Sequence, residues 1–270
     1  MKTIPADDRG LTLGVGLFET VLAVDGRPLL WDAHLDRLER GCAVLALPSP
    51  DRALCSAAAN EALEEAGLRT GRAAIRLTWT GGSGARGLAA PLHPHPRLLV
   101  AATRAAAAAE SAALHISTIR RNSSSPASRL KTVNYLENVL ARTEATMAGA
   151  DEALLLDQSG SIACAAAANI FWLEGESLYT PALDCGVLDG VVRDAALRIA
   201  HSQGLDAREV HAPPQRLLAS DGAFVTNSLQ GAVPIRSLDG AELTRSNPAQ
   251  LMLMTAIRVV ALGDPPASTP

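Results

Sequence analysis

Lysine occupies two positions in the chain, Lys2 and Lys131, whereas every other Lys/Arg-type cation is an arginine. A bias toward arginine accounts for the general pattern but not for the exception in "RLKTVNYLENVLAR". Only a lysine amine can lose its proton near neutral pH and attack a carbonyl, because guanidinium stays protonated. Lys131 is therefore the candidate for a Schiff-base lysine.

Three further features carry chemistry. Gly190, in "LDGVVRDAALRIA", opens an expected helix whose first N–H groups and positive dipole end could hold a phosphate. Thr226, Asn227 and Ser228 lie between two expected strands, where hydroxyls and N–H groups suit phosphate oxygens. His34 and Arg37 stand one turn apart in "HLDRL". Singly, these are compatible with an ordinary helix start, a polar loop and a surface salt bridge. Together they describe a phosphorylated aldehyde held at an interdomain cleft, a description that fits pyridoxal phosphate.

The elements that must position these groups can be read coarsely. "LFETVLAVDGRPLLWDAHLDRLERGCAVLAL" predicts a strand, a turn at Asp25-Gly26, a short strand and a helix carrying Leu35, Leu38, Cys42 and Leu45. "RAAIRLTWTGGSGARG" predicts a strand running into a glycine loop, and "RLLVAATR" another strand. The polar "RRNSSSPAS", broken by Pro126, marks a boundary near residue 122, which separates an N-terminal α+β domain (1–121) from a larger C-terminal sheet domain (122–270) carrying Lys131. A helix follows over "NYLENVLARTEATMAGA", with apolar residues at 136, 139, 140 and 147 and Asn134 as its expected cap. Strands are expected in "DEALLLDQSGSIACAAAANIFWLEGESLYTP" and "DGAFVTNSLQGAVPI", and the tail "GDPPASTP" should fray.

Bulk properties narrow the function. A net charge of -4, with no basic block, argues against a nucleic-acid partner. No basic segment followed by an apolar run and no stretch of 18 apolar residues occurs, so neither export nor membrane spanning is expected and the chain reads as cytoplasmic. Cys42, Cys55, Cys164 and Cys185 are too scattered for a disulfide framework, and no short Cys/His spacing suggests a metal.

"GLFETV", "HLDRL", "LKTVNYLENVLAR", "NIFW", "YTP" and "LDGVVR" resemble, in order, the signature stretches of fold-type IV pyridoxal-phosphate enzymes, the class IV aminotransferase family. The resemblance implies a two-domain α+β architecture, pyridoxal 5'-phosphate as cofactor, a small amino substrate with a carboxylate, and a homodimer. It implies that Lys131 forms the Schiff base and that Arg37, the backbone of Gly190, Val191 and Val192, and the side chains of Thr226 and Ser228 surround the phosphate. Tyr135 would lie near the cofactor hydroxyl and Asn169, in "NIFW", at the cofactor, with Thr20 catalytic on the substrate side and Arg86 on the substrate carboxylate. Two positions depart from the family pattern. Cys164 stands where a glutamate usually pairs with the pyridine nitrogen, and Asp189 precedes Gly190 where many relatives are neutral. A thiol is mostly neutral below about pH 8.5 and a weak partner for a pyridinium. The expected activity is a lyase converting 4-amino-4-deoxychorismate to 4-aminobenzoate and pyruvate. The alternatives are a D-amino-acid or (R)-amine transaminase, or a non-catalytic pyridoxal-phosphate-binding dimer.

Overall fold

The computed structural model describes residues 3–243 and 247–263; Lys2 and the tail from residue 264, expected to fray, lie outside the described residues. The chain divides into two compact units, Met1–Ala106 with Leu130–Asn134 and Ala107–Arg129 with Tyr135–Pro270.

The first unit runs α1 (Arg9–Leu13), β1 (Gly16–Val24), β2 (Arg27–Pro28), α2 (Trp31–Val44), α3 (Arg52–Glu65), β3 (Arg72–Thr80) and β4 (Arg97–Arg104). Its sheet has the order β2-β1-β3-β4, antiparallel throughout. Alternation along β1 sends Leu17, Val21 and Ala23 into a core shared with Leu35, Leu38 and Cys42 of α2 and with Cys55, Ala59, Ala62 and Leu63 of α3. Burying one such leucine contributes roughly 1.5–3 kcal/mol, which is why α2 lies where the apolar spacing of "HLDRLERGC" predicts.

The second unit runs β5 (Ala112–Arg121), α4 (Leu136–Met147), β6 (Glu152–Asp157), β7 (Ile162–Ala165), β8 (Asn169–Glu174), β9 (Ser177–Pro181), α5 (Val191–Ser202), β10 (Asp206–Val210), α6 (Pro214–Ala219), β11 (Gly222–Asn227), β12 (Gly231–Leu238), β13 (Ala241–Glu242) and α7 (Pro248–Leu262). Single 3-10 turns cover Pro126–Arg129 and Leu183–Cys185. Among the described residues its strands form one mixed sheet, ordered β10-β9-β8-β11-β12-β5-β6-β7, with β13 beside β12. Leu154, Ile170, Trp172, Val225 and Ile235 fill its main core.

These units differ in two segments from the division expected near residue 122. β5 pairs in parallel with β6 and β12 and so stays with the second sheet, while Leu130–Asn134 returns to the first unit. The expected cap of α4 is also displaced. Tyr135 holds the N-cap position, and Asn134 donates its side-chain amide to the carbonyl of Gly14 at 3.0 Å. Helix α4 buries Asn138, Ala141 and Ala145 and leaves Leu136, Val139, Leu140 and Met147 exposed. Its apolar spacing thus marks an outward face.

Candidate active site

Lys131 is placed by the edge of β1. Because β2 is two residues long and pairs with Ala23 and Val24 only, the backbone of Gly16–Phe18 has an open edge. The segment around Lys131 fills it: Phe18 N–H donates to the carbonyl of Lys131 at 2.8 Å, Val133 N–H donates to that of Gly16 at 3.0 Å, and Thr132 bridges Leu17. Gly14, at φ 68°, permits this approach, since a Cβ there would collide with the Asn134 amide.

The Lys131 amine lies 4.3 Å from the Phe18 ring centroid, and the Arg76 guanidinium carbon is 3.8 Å from the same centroid. Thr20 is the cross-strand partner of Arg76. Phe18 and Thr20 alternate onto one face of the sheet, so an amine, a guanidinium, a hydroxyl and an aromatic ring share it.

The opposite face of β1 carries Glu19, which is 1% exposed. Both its oxygens accept from Arg37, Nε at 2.8 Å and Nη2 at 2.6 Å, and His34 Nδ1 lies 2.7 Å from Oε2. A carboxylate can only accept, so the hydrogen of that last bond resides on Nδ1. Burial alone would raise the Glu19 pKa, but the charge and hydrogen bonds of Arg37, with those of His34, outweigh it and hold the carboxyl at about 2. His34 is pushed below its ordinary value, chiefly by burial, against the opposing pull of Glu19. Lys131 is lowered to about 8, first by burial, then by the positive charge of Arg37 and, more weakly, of Arg76, with Glu19 pulling the other way. Near neutral pH a useful fraction of this amine is therefore unprotonated, the state a carbonyl-attacking nucleophile requires.

The second unit gathers the other expected group. Thr226 pairs with Asn169 across β8 and β11, and Asn169 donates to the carbonyl of Leu188 at 2.9 Å. That bond brings Asn169 against Gly190, the N-cap of α5, where a Cβ would strike its side-chain oxygen. No side chain caps α5, and Val191 and Val192 supply its first backbone amides. Thr226 Oγ1 is buried with no hydrogen-bond partner among the described residues. An orphaned hydroxyl in the pair that abuts an uncapped helix start is what a phosphate oxygen would satisfy. Ser228 follows in a turn that Asn227 closes by accepting from Leu229 and Gln230 N–H.

Several expected residues sit differently from the simple reading. Asp189 does not cap α5; it lies 3.8 Å from Arg193, which is itself buried and paired with Glu209 at 2.7 Å. That arginine offsets the negative charge beside the helix start. Arg37 gives two of its donors to Glu19. Arg86 is exposed, in a loop whose carbonyls at Gly87 and Leu88 accept from Arg9. Cys164 is buried on β7, and burial raises its thiol pKa against the opposing charge of Arg121. Arg121 is 5% exposed and donates to the carbonyls of Gly186 and Ser128 and to the Asn138 side chain, all neutral acceptors. Sequence reasoning missed Glu19, Phe18, Arg76 and Arg121 as parts of these clusters. A carboxylate in the largely apolar strand "GLFETV" was the one available signal.

The family profile "Amino-transferase class IV" matches residues 16–238. Aminodeoxychorismate lyase of Bacillus subtilis (strain 168) is 30% identical over 237 residues, covering 86% of this chain and 80% of its own length. Among solved structures, 4-amino-4-deoxychorismate lyase from Pseudomonas aeruginosa superposes with TM-score 0.85 at 30% identity, over 96% of this chain and 95% of that one. A branched-chain aminotransferase from the archaeon Thermoproteus uzoniensis, solved with norvaline, gives TM-score 0.87 at 25% identity, over 97% and 91%. The chain belongs to the class IV aminotransferase family. It is accordingly a pyridoxal-phosphate-dependent enzyme acting on a small amino substrate. The residues present fit that cofactor, because the chain holds an amine of lowered pKa and, separately, an uncapped helix start beside a partnerless hydroxyl.

Proposed function

We propose that the chain is an aminodeoxychorismate lyase, releasing pyruvate from 4-amino-4-deoxychorismate to leave 4-aminobenzoate. The observation that carries this reading is Lys131, fixed on the β1 edge with its amine lowered to about 8 on the face shared by Arg76 and Thr20. The two lyases at 30% identity support it. Bound pyridoxal phosphate would supply a carbonyl for the substrate amine and a ring that withdraws electrons.

Lys131 would hold the aldehyde end of the cofactor. Val191 and Val192 amides, Thr226, Ser228 and Arg37 would take the phosphate, with Gly190 and Asn169 shaping that cradle and Tyr135 serving the ring hydroxyl. With substrate bound, the Lys131 amine would be the base that removes the ring proton. The ring carbon–oxygen bond would break as the ring aromatises, its electron pair leaving with the enolpyruvyl oxygen, and Thr20 would help deliver the proton that turns the departing enol into pyruvate. Cys164, neutral in its buried setting, offers no negative charge to a protonated pyridine nitrogen. Transamination depends on that charge more than a reaction driven by aromatisation does, and this favours the lyase over a D-amino-acid or (R)-amine transaminase. The test is a direct assay of 4-aminobenzoate and pyruvate formation beside a panel of D-amino acids, (R)-amines and branched-chain amino acids with 2-oxo acids. Transamination without 4-aminobenzoate would overturn the reading.

Two arginines are candidates for the substrate carboxylate, Arg76 on the Phe18 ring and Arg86 in the glycine-rich loop. A charge-assisted pair of about 1.5–3 kcal/mol corresponds to roughly 10- to 100-fold in kcat/KM. Arg76→Leu is expected to show that loss and Arg86→Leu a smaller one, with cofactor content unchanged in both. Unaltered kinetics in both variants would remove these assignments.

The exposed stripe of Leu136, Val139, Leu140 and Met147 on α4 supports a homodimer in which a second copy covers it. Light scattering should give twice the chain mass, and Val139→Glu should halve it. Among the described residues no helix is long and apolar enough to cross a membrane. All four cysteines are free, in keeping with a reducing compartment and hence a cytoplasmic setting.

A further inference from the structure

Away from the residues assigned to cofactor and substrate, three elements of the second unit bring together Asp157 at the end of β6, Cys185 in the 3-10 turn after β9, and His211 just past β10. A carboxylate oxygen, the thiol sulfur and a ring nitrogen from these three all lie within 4.8 Å of one another. Sγ of Cys185 is 3.3 Å from Nδ1 of His211, and the other ring nitrogen, Nε2, lies 3.0 Å from Asp184. Cys185 is 0% exposed and Asp157 4%, whereas the His211 side chain is 55% exposed and leaves the cluster open on one side.

The cluster is pre-organised. Ser159 N–H, Ser159 hydroxyl and Ser161 N–H all donate to Oδ1 of Asp157, which fixes the carboxylate plane. Val210 and Ala212, on either side of His211, accept from Ala182 and Ile162 N–H at 3.1 and 2.7 Å, so the histidine backbone is pinned twice. Cys185 N–H donates to Ala182 at 3.0 Å. One thiol, one imidazole and one carboxylate, with a second carboxylate on the far ring nitrogen, form a donor set suited to a borderline-soft divalent cation. A carboxylate on the distal nitrogen of a ligating imidazole orients the ring and raises its basicity.

The geometry points to a binding site for a zinc-class divalent cation, with Asp157, Cys185 and Nδ1 of His211 as ligands, Asp184 orienting the histidine, and a solvent-facing fourth position for water. Binding replaces the thiol proton by the metal: the Cys185 S–H bond breaks, a sulfur–metal bond forms, and the proton passes to solvent.

Cobalt(II) is the probe, because a thiolate ligand gives it a near-ultraviolet charge-transfer band. Titration of the full chain after removal of adventitious metal should produce that band at one equivalent per chain, and zinc should abolish it by competition. Asp184→Asn is expected to weaken cobalt binding by about 10- to 100-fold, and His211→Ala, a change at an exposed side chain, at least as much. Cys185→Ser should lose the band while circular dichroism and lyase activity persist. If Cys185→Ser does not fold, the His211→Ala and Asp184→Asn titrations decide alone. A native protein without the band, or affinities unchanged in His211→Ala and Asp184→Asn, would overturn the site.

Discussion

Lys131→Arg is expected to abolish turnover, leaving activity lower by about 10³-fold or more, while the protein stays folded. Arginine preserves the positive charge and most of the side-chain length, and it is the cation this chain uses almost everywhere else. It lacks only an amine that can shed its proton, and a proton-transferring or nucleophilic side chain is worth roughly 10² to 10⁴ in rate. Peptide mapping after borohydride reduction should find cofactor attached at residue 131 in the native protein and nowhere in the variant. Lys131→Ala should behave alike but regain part of its activity with added methylamine, which can enter the vacated space. An arginine variant of normal activity would show that the lysine is an accident of composition.

The second large effect is expected at Glu19. Glu19→Gln keeps the shape but removes the negative charge that both Arg37 and His34 face. Leaving a buried cation without its counter-ion costs about 3–5 kcal/mol, enough to lower Tm by roughly 10 °C in a chain of this size. The effect depends on pH in a defined sense. Because the folded carboxyl is held at about 2, below its ordinary 4.5, its stabilisation is fully present above the ordinary value and is lost as pH falls toward about 2. Native and variant melting curves should converge there. Since Glu19 pulls the Lys131 pKa upward, the variant should also carry an amine below about 8. With only two lysines in the chain, carbon-13 dimethylation of the cofactor-stripped protein and NMR titration would resolve that shift; an unmoved Lys131 signal would show that the two groups are uncoupled.

Much of the candidate site could be read before any fold was known, because its groups are rare types at fixed places. Lys131 is the one lysine away from the chain start, and Gly190 introduces a helix whose register follows from "VVRDAALRIA". Thr226 was legible as a polar break between two strands, although its unsatisfied hydroxyl was not. The residues that tune Lys131 were hidden because their contacts are tertiary. Glu19 meets Arg37 only when α2 lies on β1, and Arg76 shares the Phe18 ring only through the β1–β3 register. Helices α3 and α7 escaped for a different reason. "RALCSAAANEALEE" is so rich in alanine that its faces barely differ, and "LMLMTAIRVVAL" is nearly continuously apolar, so neither displays a period. The cation site was invisible because its ligands come from three distant elements and leave no short spacing.

The short reach of β2 also bears on how the polypeptide matures during synthesis. The first sheet is closed at Gly16–Phe18 by Leu130–Asn134, a segment made after residues 107–129, which belong to the other unit. On the ribosome, the amino-terminal unit can therefore collapse around β1, β3 and β4 yet must wait for a distant return of the chain before its last edge is sealed. Local contacts form early and distant ones late, so the segment that arrives last in this sheet is the one that carries its amine. Nascent fragments ending before residue 130 would present a bare strand edge, and Lys131 would enter the sheet only after residues 107–129 of the other unit had been made.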